Sequence, residues 1–300
     1  MREVAITITQ LSAFLAVVRG GSVTAAAEEL VVTQPSVSAA ISALNRELGC
    51  TLFERVGRGV RLTAAGEAFV PYAADVVGLL DQGRQRAREA ARVCRQRLRI
   101  AAVTTAAESF VPPLLRAFVE RHPDIEVTLD VGNQSEVLSR ILGHSSDMGF
   151  AGRSPADDRL VAEPLSENEI VCITAPDDVR LADPAVMSRD LVDRAWLLRE
   201  PGSGTRALNE KFLADRRLTP TTLTLGSNGA IKKAVRAGLG VSLVSRVAAA
   251  DELAAGLLGE LRLIDGPATW PWFMLRSAVG EERASVALFA DFVRAPVLPL

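Results

Sequence analysis

Thr33-Gln34-Pro35-Ser36-Val37-Ser38-Ala39-Ala40-Ile41-Ser42-Ala43-Leu44-Asn45 decides how the first part of the chain folds. Thr33 is an N-cap candidate, and Pro35 falls in the first helical turn, where a missing N–H does no harm. Val37, Ile41, Leu44 and Leu48 recur at helical spacing and predict the buried stripe, until Gly49 ends the run. The opposite side carries Gln34, Ser38, Ala39, Ser42 and Asn45, where a solvated helix would carry Glu and Lys. Small side chains there suit a helix covered by another domain, or one lying close to base edges, where long acidic groups would meet phosphate repulsion.

The flanks favour the second reading. Upstream, from Thr9, the spacing of Leu11, Phe14, Leu15 and Val18 predicts a short helix closed by Gly20-Gly21, and Ser22 caps a second with Val23, Ala26, Ala27 and Leu30 on one side. Downstream, Leu52 to Val56 and Val60 to Leu62 flank Gly57-Arg58-Gly59, a hairpin signal with Arg55, Arg58 and Arg61 near its tip. Arginines on a hairpin are commonly only solvated charge; beside a helix-turn-helix they suit phosphate contacts.

Thr63 opens a long helix. Steps of three and four give Val70, Ala73, Val77, Leu80, Arg84, Ala87, Ala91, Cys94 and Leu98, a seam that only Arg84 breaks and that predicts helix pairing and a dimer. The arginines Arg84, Arg86, Arg88, Arg92, Arg95, Arg97 and Arg99 read as a solvated, partner-facing surface in preference to a second DNA contact.

From Leu98 strands and helices alternate, which predicts an α/β region with a mostly parallel sheet. Ligands in such sheets bind beyond the carboxyl ends of strands. That rule selects Thr104 and Thr105, Gly132 to Ser135, Glu200 to Arg206, and Ser227-Asn228. The sharpest is Glu200-Pro201-Gly202-Ser203-Gly204-Thr205-Arg206, whose glycines, exposed N–H groups and hydroxyls suit an anion. The competing reading is a plain helix cap, with Arg206 paired to a nearby acid.

Composition bounds what these motifs can mean. Three hundred residues predict two or three domains, and 48% hydrophobic with 23% charged residues is ordinary globular composition. Thirty-four basic against thirty-six acidic side chains leave a net charge of −2, so DNA binding must be local. No apolar run approaches the ~18 residues a bilayer crossing needs. Cys50, Cys94 and Cys172 lie far apart and make no disulfide scaffold, and with His122 and His144 they form no metal-ligand pattern, so no metal or cofactor is expected. Arg2 offset by Glu3, Gln10 and Ser12 within the apolar run, and Arg19 after it read against an export signal. With no G-x-S-x-G, P-loop or H-E-x-x-H, an enzyme is not expected, and Cys172 in an apolar strand disfavours peroxide sensing.

The run Phe14-x-x-Val17, Gly21-Ser22-Val23-Thr24-x-Ala26-Ala27, Leu30, Thr33-Gln34-Pro35-Ser36-Val37-Ser38, Ile41, Leu44, Leu48-Gly49 and Leu52-Phe53-x-Arg55 closely resembles the winged helix-turn-helix of LysR-type transcriptional regulators. Asn45 departs from it, standing where the family usually has Glu. The resemblance implies an all-α winged helix-turn-helix domain (1–62), a linker dimerisation helix (63–97), and an α/β effector domain (98–300). The last comprises two periplasmic-binding-protein-like subdomains, about 98–168 with 271–300, and about 169–270. Carried over by position, Thr33, Gln34, Pro35, Ser36, Ser38, Ala39 and Ser42 face the groove, with Arg55 and Arg58 on the backbone. Thr104, Thr105, Asn133, Gly202, Ser203, Thr205, Arg206 and Asn228 form the expected effector set. Asn133, Gly152-Arg153 and the Arg199 to Arg206 segment resemble the branch that regulates Calvin-cycle carbon fixation and sulfur assimilation, which implies a small anionic metabolite. The implied partners are double-stranded promoter DNA, RNA polymerase, and further copies of the chain as a homodimer or a homotetramer built as a dimer of dimers, in the cytoplasm and without a membrane. The alternative is an exported solute-binding protein of the same cleft architecture, which leaves Thr33 to Leu62 without a purpose.

Overall fold

The computed structural model describes residues 6–57, 59–92, 95–153, 156–267 and 269–295. The chain divides into two compact units, Met1–Cys94 with Leu142–Ser145, and Arg95–Ile141 with Ser146–Leu300.

The first unit begins with α1 (Ile8–Gly20), one residue earlier than Thr9 suggested, because Thr7 and Gln10 close a reciprocal cap: the Thr7 hydroxyl accepts from the Gln10 N–H at 3.3 Å and the Thr7 N–H donates to Gln10 Oε1 at 2.8 Å. Ser22 caps α2 (Val23–Leu30) through the Ala25 N–H. Between α2 and α3 (Gln34–Leu48), Val31 takes a left-handed φ of 55° while 90% exposed. For a β-branched residue that geometry stores strain on the order of 1–2 kcal/mol. Val37 and Leu44 on α3 are buried, and Ile41 and Leu48 half-buried, against Phe14 of α1 and the wing. The wing is an antiparallel pair, β1 (Phe53–Val56) and β2 (Gly59–Leu62), with Phe53 opposite Leu62. Asn45 is spoken for within the chain: its Oδ1 accepts the Leu52 N–H at 3.1 Å and holds the approach to the wing.

The long helix α4 runs Ala64–Ala90 from a Thr63 cap. It corrects the expected seam in two ways. Val70, Ala73 and Val77 pack into the core formed by Leu11, Phe14, Leu44 and Leu52, so that face is occupied from within. The helix stops at Ala90, and Leu98 is buried on a strand of the second unit. The exposed apolar stripe is Tyr72, Val76 and Leu79, one position off the expected one, because the same 3.6-residue period supplies both an inner and an outer row. Leu142–Ser145 complete this unit: buried His144 lies 2.9 Å from Asp75 through Nε2 and 3.1 Å from Gln82 through Nδ1. A Cβ on Gly78 would come within 2.4 Å of it, so glycine is required there.

The second unit has two lobes. The first is a five-stranded sheet in the order β4-β3-β5-β12-β6, from β3 (Gln96–Val103), β4 (Ile125–Gly132), β5 (Met148–Ala151), β6 (Leu160–Pro164) and, near the end of the chain, β12 (Phe273–Ser277). Its helices are α5 (Thr104–Glu108), α6 (Val111–Arg121), α7 (Gln134–Leu142) and α11 (Ala284–Arg294). The second lobe sets β7 (Ile170–Thr174) between β10 (Ser242–Ser245) and β11 (Gly259–Leu261), with β8 (Trp196–Leu198) paired to β9 (Thr222–Thr224), and carries α8 (Gly204–Asp215), α9 (Asn228–Arg236) and α10 (Arg246–Ala254). The sheets are mixed, not mostly parallel. β3 pairs parallel with β4 and β5, but β12 is antiparallel to both β5 and β6, and β7 is antiparallel to both its neighbours. The reason is the route of the chain, which leaves the first lobe after β6 and returns to it as β12 running the other way. The two crossings are laced together, Leu165 N–H to Trp272 O at 2.8 Å, Trp272 N–H to Ser166 O at 2.9 Å and Trp270 N–H to Asn168 O at 3.1 Å.

Apolar burial holds each lobe. Phe118, Phe150, Phe289 and Phe292 meet edge-on in the first, and Trp196 stacks on Phe212 at 5.7 Å in the second. Among the described residues no helix is long and apolar enough to cross a membrane.

Candidate functional site

On α3, Val37 and Leu44, with Ile41 beside them, fix the helix by their burial, and the opposite face is consequently turned outward. Thr33, Gln34, Pro35, Ser36, Ser38, Ala39 and Ser42 are all exposed. Two of them are pre-set: Gln34 Nε2 donates to Thr24 Oγ1 of α2 at 2.8 Å, and the Thr33 and Ser36 hydroxyls lie 2.8 Å apart. The Gln34 amide is thereby held with its oxygen uncommitted to that bond, a posture suited to a donor on a base edge. Arg55 stands exposed on β1, opposite Val60. Arg61 is engaged by Glu54, Nε to Oε1 at 2.8 Å, and so is less available for phosphate than its place on the hairpin suggested. Arg58 lies outside the described residues.

The second site is a cleft in the second unit, with about 530 Å³ of space, open solvent at its mouth included. Strand ends build it. Thr104 and Thr105 follow β3, Asn133 follows β4, and Ser203 and Thr205 lie at the start of α8; all five line it. Asn133 also starts α7, its Oδ1 accepting from Glu136 N–H at 3.1 Å while its own N–H donates to Glu136 Oε2 at 2.8 Å. Ser203 stands at the N-cap of α8 without a side-chain cap bond, so the plain capping alternative does not describe it.

Three expected residues lie elsewhere. Arg206 is consumed structurally, Nε donating to Glu210 at 2.7 Å and Nη1 to the Arg199 carbonyl at 2.9 Å and Thr224 Oγ1 at 3.1 Å. It lines an outer groove with Gly202 and is absent from the cleft wall. Gly202 has a φ of 87°, and a Cβ there would meet Ser135 Oγ at 2.9 Å, where the Ser135 N–H donates to the Gly202 carbonyl at 3.1 Å across the lobes. Asn228 is buried behind the wall: its Oδ1 accepts from Arg199 Nη1 at 2.6 Å and its Nδ2 donates to Thr105 Oγ1 at 2.9 Å, joining the lobes.

Arg199 is the residue that motif reading passed over. It is 5% exposed, and among the described residues it is the one charged side chain lining the cleft. It follows β8 directly, at the carboxyl end of the strand and just before Glu200 of the glycine loop. Gln134, Asn168, Ser245, Trp270 and Trp272 also line the cleft, and the tryptophans sit on the returning crossover, which no motif marks. Arg199 donates from Nε to Glu200 Oε2 at 2.7 Å and from Nη2 to Oε1 at 2.9 Å. Burial alone would raise the Glu200 carboxyl, but the Arg199 hydrogen bonds and charge, with a bond to the Asn133 side chain, hold it below the usual carboxylate range. Cys172, by contrast, has its thiol pushed up to about 12 by burial, which removes the thiolate that redox chemistry needs. No cluster of three or more metal-ligating side chains occurs among the described residues.

Comparison with known proteins places both regions of the chain in one family. The profile of bacterial regulatory helix-turn-helix proteins of the lysR family matches residues 8–67, and that of the LysR substrate binding domain matches residues 92–296. The chain is 32% identical over 288 residues to the HTH-type transcriptional activator CmpR of Synechocystis, covering 96% of this chain and 94% of that one. It is 33% identical over 289 residues to a RuBisCO operon transcriptional regulator of Allochromatium vinosum, with 96% and 95% covered. The solved structure of the Synechocystis CcmR regulatory domain in complex with 2-PG superimposes with a TM-score of 0.63 at 30% identity, over 66% of this chain and 96% of that one. A helix-turn-helix reader therefore has its purpose, the exported-binder alternative loses its ground, and the chain belongs to the LysR family of DNA-binding transcriptional regulators, in the company of regulators of Calvin-cycle carbon fixation.

Proposed function

We propose that this regulator works in the cytoplasm on double-stranded promoter DNA, and that its cleft takes a small anionic metabolite whose binding changes how the promoter is held or bent and how RNA polymerase gains access to it. Thr33 to Ser42 of α3 read base edges, and Arg55 with Arg58 hold the backbone. Tyr72, Val76 and Leu79 of α4 pair with a second copy, giving a homodimer or a dimer of dimers. Thr104, Thr105, Asn133, Ser203 and Thr205 supply neutral donors to the metabolite, Gly202 permits the lobes to meet, and Asn228 supports Arg199 from behind.

The observation that carries the reading is Arg199, a nearly buried guanidinium among neutral hydrogen-bonding side chains at strand ends. With Nε, one Nη1 and one Nη2 hydrogen committed, two N–H groups remain for an incoming carboxylate or phosphate. The ligand of the CcmR domain, 2-PG, is 2-phosphoglycolate, an anion of this kind. Titrating the full-length protein with 2-phosphoglycolate and related small acids should give a saturable response that Arg199→Met reduces at least a hundredfold, while the promoter complex formed without metabolite persists. A response that survives Arg199→Met undiminished overturns the anchor.

A further inference from the structure

The cleft already contains an anion of its own. Arg199 presents one edge to the Glu200 carboxylate through two hydrogen bonds, 2.7 and 2.9 Å long, and Asn133, which lines the cleft from the other lobe, also favours the charged form of Glu200. Glu200 is not a lining residue, yet its carboxylate is bonded twice to Arg199, which is, so its negative charge adjoins the space an effector would fill. No other charged side chain lines that space among the described residues. Arginine and glutamate therefore cancel, and the cleft has no net charge to offer.

That balance has a consequence for selectivity. A buried guanidinium with no resident counter-ion attracts any small oxyanion by charge, and inorganic phosphate and sulfate carry the same head group as an organic phosphate. With Glu200 fixed by two hydrogen bonds from Arg199, an entering oxyanion gains Arg199 but meets Glu200 close by, and charge gives it little advantage. Net attraction must come from the neutral part of the ligand, through Thr104, Thr105, Ser203 and Thr205 and the apolar faces of Trp270 and Trp272. A four-oxygen inorganic ion is too small to reach the hydroxyls of both lobes and the tryptophans together. We propose that Glu200 is a specificity-determining residue that keeps simple inorganic oxyanions out of the cleft, so that the cleft responds to an organic anion and not to phosphate or sulfate. This rests on the reading of the cleft as an anion sensor.

The test uses the full-length chain at constant ionic strength, with calorimetry and the emission of Trp270 and Trp272 as readouts, against inorganic phosphate, sulfate and 2-phosphoglycolate. Glu200→Gln keeps an oxygen for Arg199 and for Asn133 and removes only the charge. It should bind phosphate and sulfate at least tenfold more tightly than the unaltered protein, whereas Glu210→Gln, which removes an exposed charge from the Arg206 pair outside the cleft, should not change either affinity. Should Glu200→Gln lose its cooperative melt, Glu200→Ser reads the same question with a smaller neutral acceptor. Inorganic anions bound no better, or worse, by the folded neutral variant overturn the proposal and leave Glu200 as a plain counter-ion. If no anion, 2-phosphoglycolate included, registers on any form, the sensor reading itself falls and this proposal with it; binding of 2-phosphoglycolate alongside an unchanged phosphate affinity in Glu200→Gln rejects the filter only.

Discussion

The reading face of α3 and the effector cleft are made of similar residues, mostly Ser, Thr, Asn and Gln, but they are held in opposite ways. On α3 and its cap Thr33, Gln34, Pro35, Ser36, Ser38, Ala39 and Ser42 are exposed, and the helix sets their spacing, with only local bonds to Thr24 and between Thr33 and Ser36. Around the cleft Thr105, Arg199 and Ser203 are buried, and Asn228 behind the wall ties Arg199 to Thr105 across a long stretch of chain. A substitution on the face should therefore change recognition without changing stability, and one behind the cleft should change both.

That contrast can be broken at several points. The largest effect is expected at Asn228. Asn228→Ala leaves a buried arginine nitrogen and a threonine hydroxyl without their partner, and loss of about 1.5–3 kcal/mol in chemical denaturation of the full chain is expected. An unchanged midpoint would mean that the two lobes are not joined through this residue. Next comes the face: Gln34→Ala should shift the preferred base at one operator position by about 1–3 kcal/mol in a binding selection with no change in melting, whereas Arg55→Ala should weaken all sequences alike and lower the salt slope by ~1. Equal losses for both variants across all sequences would remove Gln34 from base readout. The smallest effect is at Val31, where replacement by Asn, a residue that tolerates the left-handed region, should raise thermal stability by about 1 kcal/mol in calorimetry without touching the cleft response.

The same contrast explains what could be read in the sequence. The three helices and the hairpin of the first unit declare themselves through Thr33, Pro35, Ser22 and the alternation around Gly57, all within a few residues of what they control. The two rows of α4 could not be told apart, because Val70-Ala73-Val77 and Tyr72-Val76-Leu79 share one period and only the packed core shows which row it takes. In the second unit the strand-end rule located Thr104, Thr105, Asn133, Ser203 and Thr205, which the fold brings to one cleft from both lobes. It could not locate Trp270 or Trp272, which reach the cleft by the return crossing; of the two readings of Arg206, the structure holds the pair with a nearby acid, Glu210. Arg199 stands in the segment that carries the branch resemblance, but it directly follows the apolar run Trp196–Leu198 and no motif singles it out as the charge in the cleft.

The paired crossings between the lobes set a limit on what the sensor can say. Two extended segments tied by Leu165, Trp270 and Trp272 resist shear and torsion far more than they resist bending across their width. Such a ribbon is a hinge pin: it permits a swing about one axis and little else. Ligands of quite different shape must then be translated into the same variable, an angle, and can differ in their effect only by how far and how often they set it.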